Sequence, residues 1–84
     1  MNLVTMIGLA AGTLTTCAFL PQAIKIMRDK ETKGISLVMY LMFCAGISLW
    51  LTYGILIRDL PVIAANGVTL VIAIIIVGLK IRYG

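Results

Sequence analysis

Residues 35–79 read ISLVMYLMFCAGISLWLTYGILI, then RD, then LPVIAANGVTLVIAIIIVGL: two uncharged stretches, Ile35 to Ile57 and Leu60 to Leu79, divided by Arg58-Asp59. Each holds 20 or more residues. A helix rising ~1.5 Å per residue needs about 20 apolar residues to cross a hydrocarbon core of about 30 Å, so each stretch reads as a membrane span. Leu3 to Ile24, on the N-terminal side, is a third stretch of the same kind.

Little else remains in the 84 residues, of which 62% are hydrophobic and 12% charged. A soluble domain of this size could not hide so much apolar surface. The expectation is an all-α membrane protein: residues 1–84 as one three-transmembrane-helix bundle, with helices at about 3–24, 35–57 and 60–79. Three helices do not enclose a polar path by themselves, yet polar side chains lie deep within these spans. A second copy is therefore the expected partner, and a path through the membrane the expected function.

Charge and thiols narrow the classes further. The net charge is +4, but the seven basic residues flank the spans instead of gathering on a soluble face, so they argue for topology and against nucleic acid. Cys17 and Cys44 lie inside predicted helices without a CxxC pair, and the chain has no histidine. They read as small apolar residues, with no metal site and no cofactor expected. The first span follows no basic residue, is too long for a signal-peptide core, and ends in Pro-Gln-Ala-Ile-Lys instead of a small-residue cleavage site. It is expected to stay in the mature protein.

The basic residues set an orientation. Lys25, Arg28, Lys30 and Lys33 follow the first span, Arg58 alone lies in the second connection, and Lys80 and Arg82 follow the third. Six therefore flank one side of the membrane and one the other. The excess of basic residues on cytoplasmic segments places the N-terminus outside and the first loop and C-terminus in the cytoplasm. Ser36 stands where it can cap helix 2, with Thr32 and Gly34 punctuating the approach. Pro61 falls in the first turn of helix 3, where its missing N–H costs little. Pro21 differs: it lies one turn before the inner end of helix 1 and removes the bond to the Cys17 carbonyl. A bending point there and a plain kink near a helix terminus are both open readings.

The spans contain no Asp, Glu, Lys, Arg or His. Carriers coupled to protons or ions usually keep an ionisable residue in the bilayer, so this chain points to passive passage of a neutral solute. No nucleophile–base pair exists either, and the chain is not read as an enzyme. Against the aliphatic background stand Trp50 and Asn66. Trp50 lies seven residues before Ile57 and Asn66 six beyond Leu60. Both thus lie roughly 9–10 Å in from the same end. In a parallel dimer, two Trp and two Asn would ring the axis. An indole face suits the C–H faces of a sugar, and a carboxamide donates to and accepts from its hydroxyls. The alternatives are an interhelical hydrogen-bond clamp for Asn66 and lipid-facing bulk for Trp50. Helical spacing extends the Trp50 face through Phe43, Gly46 and Tyr53, with Met39 a turn further on. Tyr53 with Arg58 and Asp59 could close the outer mouth; an aromatic-belt Tyr and a solvated turn are the alternative. Gly8-Leu-Ala-Ala-Gly12 permits close helix approach, first within the chain and second in dimerisation.

Phe19-Leu20-Pro21-Gln22, the basic loop and Lys33-Gly34-Ile35-Ser36 make the chain resemble a PQ-loop protein. With Trp50 and Asn66 at their places, it resembles the bacterial SemiSWEET sugar transporters over essentially its whole length. The resemblance implies a parallel homodimer in a bacterial plasma membrane, moving sugar passively in both directions by alternating access. It implies that Trp50 and Asn66 bind the sugar and that Pro21 and Gln22 form a hinge. Tyr53, Arg58 and Asp59 would form the outer gate, and Met39 and Phe43 the bulk of the inner one. Sugar, lipid and a second copy are the implied partners. The rival is a small holin-like pore-former, which would need no Trp and Asn at a shared depth and would not saturate. A multidrug or cation exporter fits less well, for want of a membrane-embedded acid.

Overall fold

The computed structural model describes residues 2–84 as three helices: α1 (Leu3–Asp29), α2 (Leu37–Ile57) and α3 (Leu60–Tyr83). All three are long and apolar enough to cross a membrane. Each begins on a side-chain cap that accepts from an orphan amide of the first turn: Asn2 from Thr5 N at 2.7 Å, Ser36 from Met39 N at 3.2 Å and Asp59 from Val62 N at 3.3 Å. The Ser36 cap and the place of Pro61 in the first turn of α3 are as the sequence suggests.

The helix ends differ from expectation. α1 passes Ile24 and runs to Asp29, taking Lys25 and Arg28 out of the loop and into its last turns. Ile26 explains this, for it is buried against the rest of the bundle and draws the helix onward. The residues that follow and cap the helix ends, Lys30 after α1 and Arg58 after α2, are both in the left-handed conformation with φ of 54° and 57°. α3 likewise passes Leu79 and ends at Tyr83.

α3 packs against both other helices and stands between them, so the order across the bundle is α1–α3–α2 and not the order of the chain. The Cα extents are 44 × 23 × 14 Å. With helices packing about 8–10 Å apart, three side by side account for the 23 Å width. The 14 Å depth exceeds the roughly 5 Å Cα diameter of one helix, so the slab is tilted or bent out of a single plane, and α1 and α2 meet through the Phe19 and Phe43 rings at 6.2 Å. The buried core is Ala23 and Ile26 of α1, Tyr40 and Ile47 of α2, and Ile72, Ala73 and Ile76 of α3. Near the Arg58-Asp59 end, small residues set the spacing. A Cβ on Gly8 would stand 2.9 Å from the Pro61 ring, one on Gly12 2.9 Å from Ala65 Cβ, and one on Gly54 2.7 Å from Val62 Cγ1. The Gly8/Gly12 pair therefore serves packing within the chain, the first of its two readings.

Hydroxyls inside the spans satisfy themselves locally. Thr13, Ser48, Thr52 and Thr69 each donate to the carbonyl four residues earlier, at 2.7–2.9 Å. In hydrocarbon a polar group must find a partner within the protein, and the preceding turn offers one.

Candidate functional site in the open face of the slab

One face of α2 is left uncovered within the chain. Tyr40, Ile47 and Gly54 turn toward α3 and are buried. Met39, Phe43, Trp50 and Tyr53 lie on an adjoining strip of the same helix and are exposed, Trp50 by 58% and Tyr53 by 50%. Gly46 sits in the middle of this strip, where an added Cβ would meet nothing within 4 Å. With Leu49, Trp50 and Tyr53 it lines an open groove of about 500 Å³. The Trp50 and Tyr53 rings meet edge to face at 5.5 Å beside that groove.

Asn66 belongs to another hollow, of about 590 Å³, at the Arg58-Asp59 end. Thr5, Gly8 and Gly12 of α1 form one wall; Arg58, Asp59 and the first turns of α3 form the other. Asn66 Nδ2 donates to the Val62 carbonyl of its own helix at 3.0 Å. Among the described residues it makes no bond to another helix, so the interhelical-clamp reading finds no support within one chain. Asp59 is engaged as the cap of α3, while its own N–H donates to the Gly54 carbonyl at 2.9 Å. Among the described residues Arg58 and Asp59 form no ion pair with each other.

At the opposite, basic end lies a third hollow, of about 520 Å³. Phe19 and Gln22 of α1, Gly34, Ile35 and Ser36 of the loop, and Met39, Tyr40 and Phe43 of α2 line it. Phe43 closes its inner wall by edge-on contacts with Phe19 at 6.2 Å and Tyr40 at 6.0 Å. The structure thus brings Gln22, Met39 and Phe43 to one hollow at the basic end. α1 runs through Pro21 as one continuous helix, with Pro21 exposed one residue before Gln22.

Within a single chain, then, the residues singled out from the sequence divide among three hollows. Trp50 pairs with Tyr53, Asn66 with Arg58 and Asp59, and Gln22 with Met39 and Phe43. One participant escaped the sequence reading. Lys80 Nζ donates to the Thr32 carbonyl at 3.0 Å and to the Gly84 carbonyl at 3.1 Å. The only signal was a lysine at a helix end, which serves equally well as a topology marker.

Comparison with known proteins agrees with this architecture. The sequence profile of the PQ loop repeat family matches residues 3–63. The sugar transporter SemiSWEET of Bradyrhizobium diazoefficiens is 46% identical over 98% of this chain and 95% of its own length. Its namesake in Leptospira biflexa is 48% identical over 94% of this chain and 93% of its own. A crystal structure of SemiSWEET in the inward-open conformation superposes with a TM-score of 0.95 at 42% identity, covering 99% of this chain and 89% of that one. A crystal structure of a bacterial homologue of SWEET transporters superposes with a TM-score of 0.88 at 44% identity, covering 99% and 100%. Sequence, helix order and backbone agree, and the chain belongs to the PQ-loop family, within its SemiSWEET group.

Proposed function

We propose that this protein is a passive, bidirectional sugar transporter that works by alternating access as a parallel homodimer in the membrane. The observation that carries the reading is the near-whole-chain likeness to proteins named sugar transporters. The uncovered strip of α2 supports the dimer. The hollows of a single chain lie open at its surface, whereas two chains facing each other would enclose Trp50, Tyr53 and the hollow of Asn66 between them.

In this reading the two Trp50 rings sandwich the sugar, and the Asn66 carboxamides hold its hydroxyls. Pro21 and Gln22 form the hinge at which the basic end of α1 swings, with Met39 and Phe43 as the bulk of the inner gate. Tyr53, Arg58 and Asp59 close the outer mouth. The N-terminus faces outward and the basic end the cytoplasm. Net flow follows the sugar gradient, since the spans hold no Asp, Glu, Lys, Arg or His to carry a coupled proton.

Radiolabelled sugar counterflow in proteoliposomes tests this, with a hexose and a disaccharide as probes. Wild-type protein should exchange one of them saturably. Trp50→Ala and Asn66→Ala should each lower exchange at least tenfold while the protein stays dimeric. Flux that grows linearly with concentration, or that ignores both substitutions, would move the protein to the pore-formers.

A further inference from the structure

Almost every hydrogen bond described above joins residues within four or five positions of each other. Among the described residues the bond from Lys80 Nζ to the Thr32 carbonyl is the single one that ties segments far apart in sequence, 48 residues along the chain. It is placed with some care. Thr32 is the buried polar residue of the connecting loop, 2% exposed. Its carbonyl also accepts from Ile35 N at 3.1 Å, closing the turn that delivers the chain into α2. The same carbonyl is therefore held from one side by its own turn and from the other by α3. A second contact reinforces the tie, for Lys30 at the end of α1 lies over the Tyr83 ring, its Nζ 5.5 Å from the centroid.

On its far side this turn is a wall. Gly34, Ile35 and Ser36 line the hollow at the basic end, and Ser36 caps α2 through the amide of Met39, which lines it too. From these contacts we infer that Lys80 is a positioning residue for the basic-end mouth. Acting through the Thr32 carbonyl, it fastens the 32–36 turn to α3 and sets where Ile35, Ser36 and Met39 stand. A charged donor on a neutral carbonyl in a half-buried place is among the stronger hydrogen bonds a protein makes, and among the described residues no other hydrogen bond joins this turn to α3. The consequence for transport rests on the reading proposed above; the position of the wall does not.

The test measures that position without any sugar. In a Cys17→Ala/Cys44→Ala background, Met39→Cys reports on the basic-end hollow and Tyr53→Cys on the opposite groove. Each is alkylated with a hydrophilic maleimide in lipid nanodiscs, where both faces are reachable. Lys80→Met should change the Met39→Cys alkylation rate at least threefold without raising that of Tyr53→Cys, and Lys80→Arg should restore it. Should Lys80→Met not fold, Lys80→Gln, uncharged and one bond shorter, should change the rate in the same direction. An unchanged rate at Met39→Cys, a matching rise at both cysteines, or no restoration by arginine would overturn the inference. Failure of sugar counterflow would overturn the transport reading and leave this one standing.

Discussion

Glycine 54 and glycine 46 are the same residue in the same helix, and the structure gives them opposite tasks. Gly54 is buried where α2 meets α3, and a Cβ there would press to 2.7 Å from Val62 Cγ1 and 3.1 Å from its Cβ. A β-branched side chain on a helix has little rotamer freedom to retreat. Gly54→Ala should therefore cost about 1–3 kcal/mol by overpacking, seen as a lowered unfolding midpoint in detergent. Gly46→Ala adds a methyl to open space and gains helix propensity, so the folded chain should be as stable as before or up to about 1 kcal/mol more. If a second copy does cover that strip, the same substitution should weaken dimerisation, measured by size-exclusion with light scattering. Sequence alone does not separate the two glycines. Both stand in uncharged helix surroundings, and only the partner across the contact distinguishes them.

The short element joining α2 to α3 shows how two uses of one residue can be told apart. Asp59 caps α3, bonding Val62 N through its carboxylate and Gly54 O through its amide. It is also a proposed gate residue with Tyr53 and Arg58. Removal of a good N-cap costs about 1 kcal/mol, and asparagine caps as well as aspartate. Asp59→Ala should accordingly lower thermal stability, while Asp59→Asn should keep it. If the charge matters for gating, both should alter counterflow equally; an Asn variant with unaltered transport would leave Asp59 as a cap alone. The Ser36 cap of α2 was legible because capping is local chemistry, readable from two or three residues, whereas Asp59 was read only as part of the turn. The helix ends were less legible. α1 outran Ile24 because Ile26 is buried in the core shared by the three helices, and burial by distant parts of the chain leaves no local mark. Lys80 was missed for the same reason: its acceptor is a backbone carbonyl, and every residue has one.

For the whole molecule, three spans and their polar interruptions could be read from hydrophobicity and charge, but the order α1–α3–α2 could not. Spans that are apolar on all sides carry no stripe to say which face meets which neighbour, since lipid and protein solvate them alike. The absence of Asp, Glu, Lys, Arg and His from the spans, by contrast, is a property of the chain as a whole and predicts how transport responds to its surroundings. An imposed pH gradient should neither drive sugar accumulation nor change the equilibrium ratio across the membrane. Sugar concentrated against its gradient in response to acid outside would overturn passive transport, and a fluorescent pH dye in the same vesicles would report any proton taken along.

The three-helix count has a further consequence for how such a molecule could be joined to itself. Lys80 reaches the α1–α2 loop, so the C-terminus lies at the basic end, while Asn2 and Thr5 lie at the other, beside Arg58 and Asp59. Residues 2 and 84 of one copy therefore lie toward opposite ends of a molecule 44 Å long. Head-to-tail gene fusion with a short soluble linker would force the second copy upside down. Two copies kept upright in a single polypeptide would have to be spliced through one more membrane crossing, so that an uneven number of helices in each half makes the connector itself a transmembrane part.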